Sequence, residues 1–244
     1  MPNSNKPLVV ITGASSGIGL ATAKLLSSEG YSLLLLARRT EPMIALNLPN
    51  TLCKSVDVTD RTAFISAVKE AEERFGPVDA LINNAGVMLL GNIETQSPEE
   101  WDQMLNVNIK GVLNGVHAVT EGMISRKQGT IINISSVAGR KTFPNHVVYV
   151  GTKFAVHGIS ENLREELSPH GVRVITIAPG AVETELLSHT TDENIKTGYQ
   201  AWKQDMGGTV LSAEDIANTI RFAYLQPQNV CIREIVLAAT RQQA

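Results

Sequence analysis

Tyr149 and Lys153 lie four residues apart in the stretch YVGTK, and Ser136 stands thirteen positions before the tyrosine, just after the apolar run TIINI. If this stretch is helical, both side chains share one face one turn apart, so the ammonium can lie beside the phenol and favour its phenolate. A free tyrosine, with a pKa of ~10, is a poor acid–base catalyst near neutrality, and a fixed cation is a direct way to bring it toward a working range. The chemistry this suggests is proton transfer at an oxygen. The same spacing also occurs on ordinary solvated helix faces, so the surrounding chain decides its meaning.

The elements that would position such a group begin at the N-terminus. The apolar run LVVI at 8–11 is followed by TGASSGIG at 12–19 and by the helix-forming LATAKLL. Strand, glycine turn and helix in that order form an anion site, because the backbone can approach a pyrophosphate closely and the helix N-terminus offers free N–H groups. Gly13, Ser15, Ser16, Gly17, Ile18 and Gly19 would line it. The glycine spacing is G-x-x-x-G-x-G, which departs from the common G-x-G-x-x-G fingerprint.

Taken together, TGASSGIG, the NNAG at 83–86, Ser136, Tyr149 with Lys153, and Pro179-Gly180 resemble the short-chain dehydrogenase/reductase family, with the motifs in family order across nearly the whole chain. The resemblance implies a single-domain Rossmann fold over 1–244, a nicotinamide cofactor, and hydride transfer between a carbonyl and a hydroxyl carbon. In such a site Tyr149 would donate the proton, Ser136 would hold the carbonyl oxygen, and Lys153 would bind the nicotinamide ribose and lower the tyrosine pKa. Ser135 competes with Ser136 for its role, but the thirteen-residue spacing favours Ser136. Asn108, the second Asn of NVNIKG, matches the family position at a helix kink that holds a proton-relaying water; Asn106 shows that an Asn here is not diagnostic by itself. Pro179, Gly180, Val182 and Thr184 resemble the segment that fixes the nicotinamide amide, and Asn84, Ala85 and Gly86 the one beside the adenine ribose. Asp57, followed by Val58, resembles the residue that meets the adenine amino group, although Asp57 or Asp60 could equally cap the next helix. Family habit also implies a homodimer or homotetramer built on helices 98–118 and 150–168.

Cofactor choice follows from charge. The strand at 32–37 runs directly into Arg38 and Arg39, where an NAD-dependent relative would carry an acid for the ribose 2′-hydroxyl. A guanidinium can pair with a 2′-phosphate, so the position reads as NADP(H), with Glu41 as a competing partner for the arginines.

Apolar runs at 8–11, 32–37, 80–82, 130–134 and 172–177 alternate with helical patterns at 61–75 and 98–118. Runs without polar alternation belong to strands covered on both faces, so the fold class is α/β: a doubly wound parallel sheet flanked by helices. The glycine turn, NNAG, Ser136 and Pro179-Gly180 each follow a strand, which puts them on one edge of the sheet. Residues 184–211 break the alternation; they carry Tyr199 and Trp202, which look exposed, and end in Gly207-Gly208. This segment is a candidate substrate lid, or else a static surface excursion.

At 244 residues and 43% hydrophobic, the chain can bury one full core, and its net charge of −3 argues against a nucleic-acid or membrane partner. Two distant cysteines, Cys53 and Cys231, give neither a disulfide framework nor a zinc site, and none of the five histidines has metal-ligand spacing. These features fit a cytoplasmic protein. The substrate would be a small-molecule carbonyl or alcohol, bounded by Met88, Leu89, Leu90, Val137, Phe143, His146 and the lid. Arg140 and Lys141 raise a second reading, a reductase for small carboxylates such as 3-hydroxy acids or semialdehydes; otherwise they are solvated loop charges. A non-catalytic NADP(H)-sensing module would have no need of Ser136, Tyr149 and Lys153 together.

Overall fold

The computed structural model describes residues 6–242. In chain order its elements are β1 (Lys6–Thr12), α1 (Gly17–Ser28), β2 (Tyr31–Ala37), α2 (Glu41–Ile44), β3 (Thr51–Ser55), α3 (Arg61–Phe75), β4 (Val78–Asn83), α4 (Pro98–Leu105), α5 (Gly111–Arg126), β5 (Gly129–Ile134), α6 (Val147–Leu167), β6 (Val172–Pro179), α7 (Glu193–Asp205), α8 (Ala213–Tyr224) and β7 (Glu234–Leu237). The strands pair in parallel in the order β3-β2-β1-β4-β5-β6-β7. The order reverses between β1 and β4, and the resulting crevice lies outside the strands' C-terminal ends.

Each strand sends alternate residues to opposite faces, and both faces are covered. Leu8, Val10, Leu34, Leu36, Leu81, Ile131 and Val174 pack with Phe64 and Val68 of α3, Val112 and Met123 of α5 and Val156 of α6. Their neighbours Val9, Ile11, Leu33, Leu35, Ile82, Ile132 and Ile175 pack instead with Ala23 and Leu26 of α1 and Ile216 and Ile220 of α8. Each such Leu, Ile or Val contributes roughly 1.5–3 kcal/mol on burial, which is why a strand like YSLLLLA is buried at every position. All five predicted strands lie inside observed ones, and α3 spans the predicted 61–75. β3 and β7 fell outside the apolar-run reading because β3 is only partly covered and β7 is a short edge strand of EIVL.

The single helix expected over 98–118 is instead three pieces. α4 ends at Leu105, a π-helical turn follows over Asn106–Lys110, and α5 runs on to Arg126. The N–H of Gly111 bonds Asn106 O, five residues back, which widens the turn and swings Asn108 inward. Asn108 is 1% exposed while Asn106 is on the surface, so the structure separates the two asparagines.

Candidate active site

The glycine turn is shaped by contacts that exclude side chains. Gly13 has φ +63°, and a Cβ there would stand 2.8 Å from Ala85 Cα; one at Gly19 would collide with Gly13 O. Thr12 Oγ1 accepts from the N–H groups of Asn84 and Ala85, each at 3.0 Å, and Asn84 Nδ2 donates to Thr12 O at 2.9 Å and Gly13 O at 3.2 Å. The NNAG segment thus braces the turn from β4, a scaffold role that turn propensity alone does not reveal. Ser16 occupies the N-cap of α1, yet its hydroxyl makes no capping bond. That leaves a hydroxyl and the first N–H groups of α1 for an anion.

A cavity of about 1150 Å³ runs from this turn across the sheet edge. At one end it is lined by Gly13, Ser15, Ser16, Gly17, Ile18, Arg38, Arg39, Asp57, Val58, Asn84, Ala85 and Gly86, and further along by Ser136, Tyr149, Lys153, Pro179, Gly180, Val182 and Thr184. Of the residues read from the sequence as contacts for a cofactor or for catalysis, Gly19 and Asn108 stand behind the lining, Gly19 against the turn and Asn108 under Val87. The choice between Asp57 and Asp60 resolves by geometry. Asp60 caps α3 by accepting from Ala63 N at 3.0 Å, while Asp57 lines the cavity and accepts from Thr59 N at 2.9 Å. Glu41 starts α2, and the partner of Arg39 is Glu185, at 2.9 Å.

Tyr149 and Lys153 lie on α6, with the Lys153 Nζ 5.7 Å from the phenol ring centroid. Ser136 ends the connection from β5; its Oγ accepts from Ala138 N at 3.1 Å and lies beside the Tyr149 side chain. Lys153 Nζ donates to Ile134 O at 3.0 Å. Asn108 holds the next layer: Oδ1 accepts from Val87 N at 2.9 Å, and Nδ2 donates to Val87 O at 2.9 Å and Thr152 Oγ1 at 3.1 Å. The π-helical turn therefore clamps the residue just before Lys153 to the loop after β4.

The electrostatics differ from the sequence expectation. Burial raises the Tyr149 pKa well above its ordinary value; the Ser136 hydrogen bond opposes that rise and the nearby Tyr199 adds to it. Burial also pushes Lys153 down, to about 8. The expected stabilisation of phenolate by the neighbouring ammonium is outweighed because both groups sit out of water, where each favours its neutral form. The protein's own groups thus keep Tyr149 protonated, which suits a proton donor.

The lysine carries a stability cost with a definite sign. Its folded pKa of about 8 lies below the ordinary 10.5, so the cost is constant below about pH 8 and is relieved as pH rises toward 10. Two to three pKa units correspond to roughly 3 kcal/mol, partly offset by the bond to Ile134 O. Lys153→Met is expected to raise unfolding stability at pH 7 by about 1–3 kcal/mol, with the gain shrinking toward pH 10. Denaturant titration at both pH values checks it; a destabilised variant at pH 7 refutes the buried-charge account.

The other end of the cavity holds Met88, Leu90, Asn92, Val137, Phe143, His146, Leu186, Leu187, Ile195, Tyr199 and Trp202. Leu89 does not line it but packs in the apolar cluster behind. Tyr199 and Trp202, read as exposed, are half-buried and stack edge-on at 5.2 Å, because α7 turns its apolar stripe inward. Thr190 pins the segment before α7: its Oγ1 accepts from Leu90 N and donates to Met88 O, both at 3.2 Å. Arg140 and Lys141 are outside the lining; Arg140 is ion-paired with Glu234, and Lys141 is exposed with its Nζ 5.7 Å from the Phe143 ring. Glu183 and Lys203, missed in the sequence because they are twenty residues apart, form an ion pair at the cavity wall. No group of side chains among the described residues could hold a metal ion, and no helix among them is long and apolar enough to cross a membrane.

The fold and the converging Ser, Tyr and Lys define an oxidoreductase of the Rossmann type, and comparison with known proteins gives the family. The short chain dehydrogenase model matches residues 7–195, and the chain belongs to that family. It is 40% identical, over 96% of its length and 97% of the relative's, to an uncharacterized oxidoreductase of Listeria monocytogenes. A closed form of serine dehydrogenase complexed with NADP+ superposes with a TM-score of 0.90 at 29% identity, covering 97% of this chain and 96% of the other. ElxO with NADP bound gives 0.84 at 26% identity, covering 95% and 96%.

Proposed function

We propose that this oxidoreductase uses NADP(H) to interconvert the carbonyl and alcohol forms of a small, neutral, largely apolar molecule. The observation that carries the reading is that one cavity joins Arg38 and Arg39 at one end to Ser136, Tyr149 and Lys153 at the other. The residues suit a dinucleotide: glycines leave room for a pyrophosphate, Ser16 and the α1 N-terminus can bind it, and the arginines suit a 2′-phosphate. Asp57, Val58, Asn84, Ala85 and Gly86 would hold the adenosine half, and Pro179, Gly180, Val182 and Thr184 the nicotinamide. Two solved neighbours carry NADP, which supports the same choice here. When bound, the nicotinamide supplies or accepts the hydride.

The chain's own residues do the rest. Ser136 Oγ–H would orient the substrate oxygen and stabilise the charge that builds on it. Tyr149 would deliver its proton to that oxygen, and Lys153 would then favour the phenolate left behind and draw a replacement proton inward. Asn108, through Thr152 and Val87, would hold the lysine's turn of helix in place. In the alcohol-oxidising direction the same groups run in reverse.

Neutrality of the substrate follows from the wall of the cavity. Among the described residues, the cations that line the cavity beside the lid are Lys153, Lys203 and Arg39; Glu183 pairs Lys203, Glu185 pairs Arg39, and Arg140, outside the lining, is held by Glu234. A carboxylate buried there would lack a free partner and lose several kcal/mol of hydration. Neutral aldehydes and ketones are therefore expected to show kcat/KM at least about 10-fold above matched 3-oxo acids and 3-hydroxy acids in an NADPH and NADP+ panel, a difference of about 1.4 kcal/mol. A consistent preference for the carboxylates restores the carboxylate reading. The exposed Leu105, Leu113 and Phe154 on α4, α5 and α6 support assembly as a homodimer or homotetramer.

A further inference from the structure

Behind Lys153 lies a chain of polar side chains that the reaction as derived does not use. Ser135 Oγ donates to Lys153 O at 3.2 Å and lies 2.9 Å from His157 Nδ1. The same ring nitrogen is 3.0 Å from Lys153 O, and Nε2 is 2.9 Å from Glu234 Oε1. The other oxygen of Glu234 binds Arg140. Four segments meet here: the end of β5, the turn after Ser136, α6 one turn past Lys153, and the first residue of β7. Gly139, in that turn, presses so closely on the imidazole that a Cβ would collide with the ring and stand 2.8 Å from Lys153 O.

The partners constrain the ring. A carboxylate can only accept, so Nε2 carries a hydrogen toward Glu234. Burial pushes the Glu234 carboxyl up, but the hydrogen bonds from Arg140 and His157 outweigh it and hold the carboxyl below its ordinary value. The anion is therefore fixed between two donors, one on the turn after Ser136 and one on the helix that carries Tyr149 and Lys153. Sequence reading left Arg140 between a substrate carboxylate and a solvated loop charge; the carboxylate it meets is Glu234.

We propose that His157, Glu234 and Arg140 are positioning residues that lock the Ser136 turn to the Lys153 turn of α6, and so set the separation of Ser136, Tyr149 and Lys153. The inference rests on the catalytic reading of those three residues. Apart from His157, Glu234 and Arg140, the two segments meet through Ser135 Oγ to Lys153 O, Lys153 Nζ to Ile134 O, and the close approach of Gly139 to Lys153 O. A displacement of about 1 Å between reacting groups costs on the order of 10²-fold in rate, so a lock at the base of the site acts on turnover rather than on binding. None of the three lines the cavity itself, which separates them from residues that would contact substrate or cofactor.

The test compares wild type with His157→Leu, Glu234→Leu, the double variant, and the conservative His157→Gln and Glu234→Gln. Measured are kcat, KM, the NADPH dissociation constant, and amide hydrogen exchange across 134–139 and 153–157. Both Leu variants are expected to lose about 10- to 100-fold in kcat, with KM and NADPH affinity within about threefold of wild type. The double variant should fall no further, because both changes break one lock. His157→Gln should recover most of the loss, since its amide can still donate to Glu234. Exchange should quicken across both segments while β1 and β2 stay protected. Single variants that keep kcat within about twofold despite faster exchange, or losses that multiply in the double variant, overturn the lock. Should either Leu variant fail to fold, Glu234→Gln carries the same kcat comparison. If wild type reduces no carbonyl at all, the functional reading fails by itself; unchanged exchange at 134–139 in His157→Leu and Glu234→Leu then overturns the positioning inference as well.

Discussion

Tyr149→Phe is expected to bind NADPH nearly as tightly as wild type and to turn over on the order of 10²- to 10⁴-fold more slowly. The phenyl ring refills the same buried space, so packing against Val87, Met104 and Val150 in the apolar cluster survives. What is lost is the hydroxyl that the site sets beside Ser136 and Lys153. Lys153→Met should behave differently. Its Nζ lies near the open face of Gly86, 3.8 Å from where a Cβ would stand, and so borders the cofactor half of the cavity as well as the tyrosine. Both kcat and NADPH affinity should fall in that variant, although it is the more stable protein at pH 7. Steady-state kinetics with fluorescence titration of NADPH checks both. Tyr149→Phe turning over within tenfold of wild type removes the tyrosine from the proton step, and unchanged cofactor affinity in Lys153→Met removes the lysine from the cofactor.

The order of the motifs put their residues on one edge of the sheet because a parallel sheet forces it. Runs such as LVVI, SLLLLA and TIINI admit strands covered on both faces, and right-handed crossovers then carry every following loop to one edge. Nothing more is needed to bring Gly13, Asn84, Ser136 and Pro179 within reach of one ligand, and the cavity collects all four. What the sequence could not show is tertiary and polar. Arg39 meets Glu185 across 146 residues, and Lys203 meets Glu183 only because α7 folds back over the cavity. Periodicity is equally blind to the π-helical turn, since one extra residue in a helical turn leaves the apolar spacing of Trp101, Met104 and Val112 almost undisturbed. His157 and Glu234 were invisible for the same reason as the ion pairs: 77 residues separate them, and neither lies in a motif. The phenol's environment was misjudged because spacing on a helix gives proximity of charge but not depth, and at this site depth dominates.

The arginines after β2 carry the other large effect. Arg38 and Arg39 are exposed at the end of the cavity that holds Asp57, and among the described residues no carboxylate is paired with Arg38. Arg39 is engaged by Glu185, but that pair is solvent-exposed on both sides, with side-chain exposures of 59% and 60%, and such pairs contribute only about 0–1 kcal/mol. A doubly charged 2′-phosphate can therefore take Arg39 from Glu185 at small cost, while Arg38 needs no exchange of partner. A charge-assisted contact of this kind is worth about 1.5–3 kcal/mol, or about 10- to 150-fold in affinity. Arg38→Ala should accordingly weaken NADPH by that factor and leave NADH within about twofold, because only NADPH carries the phosphate. Arg39→Ala should weaken NADPH less, since the wild-type contact must first displace Glu185; the double variant should lose the preference altogether. Titration of both cofactors against the four proteins decides the matter, and it does so without any substrate. A wild type that binds NADH more tightly than NADPH, or a double variant that still prefers NADPH, would show that neither guanidinium reads the phosphate.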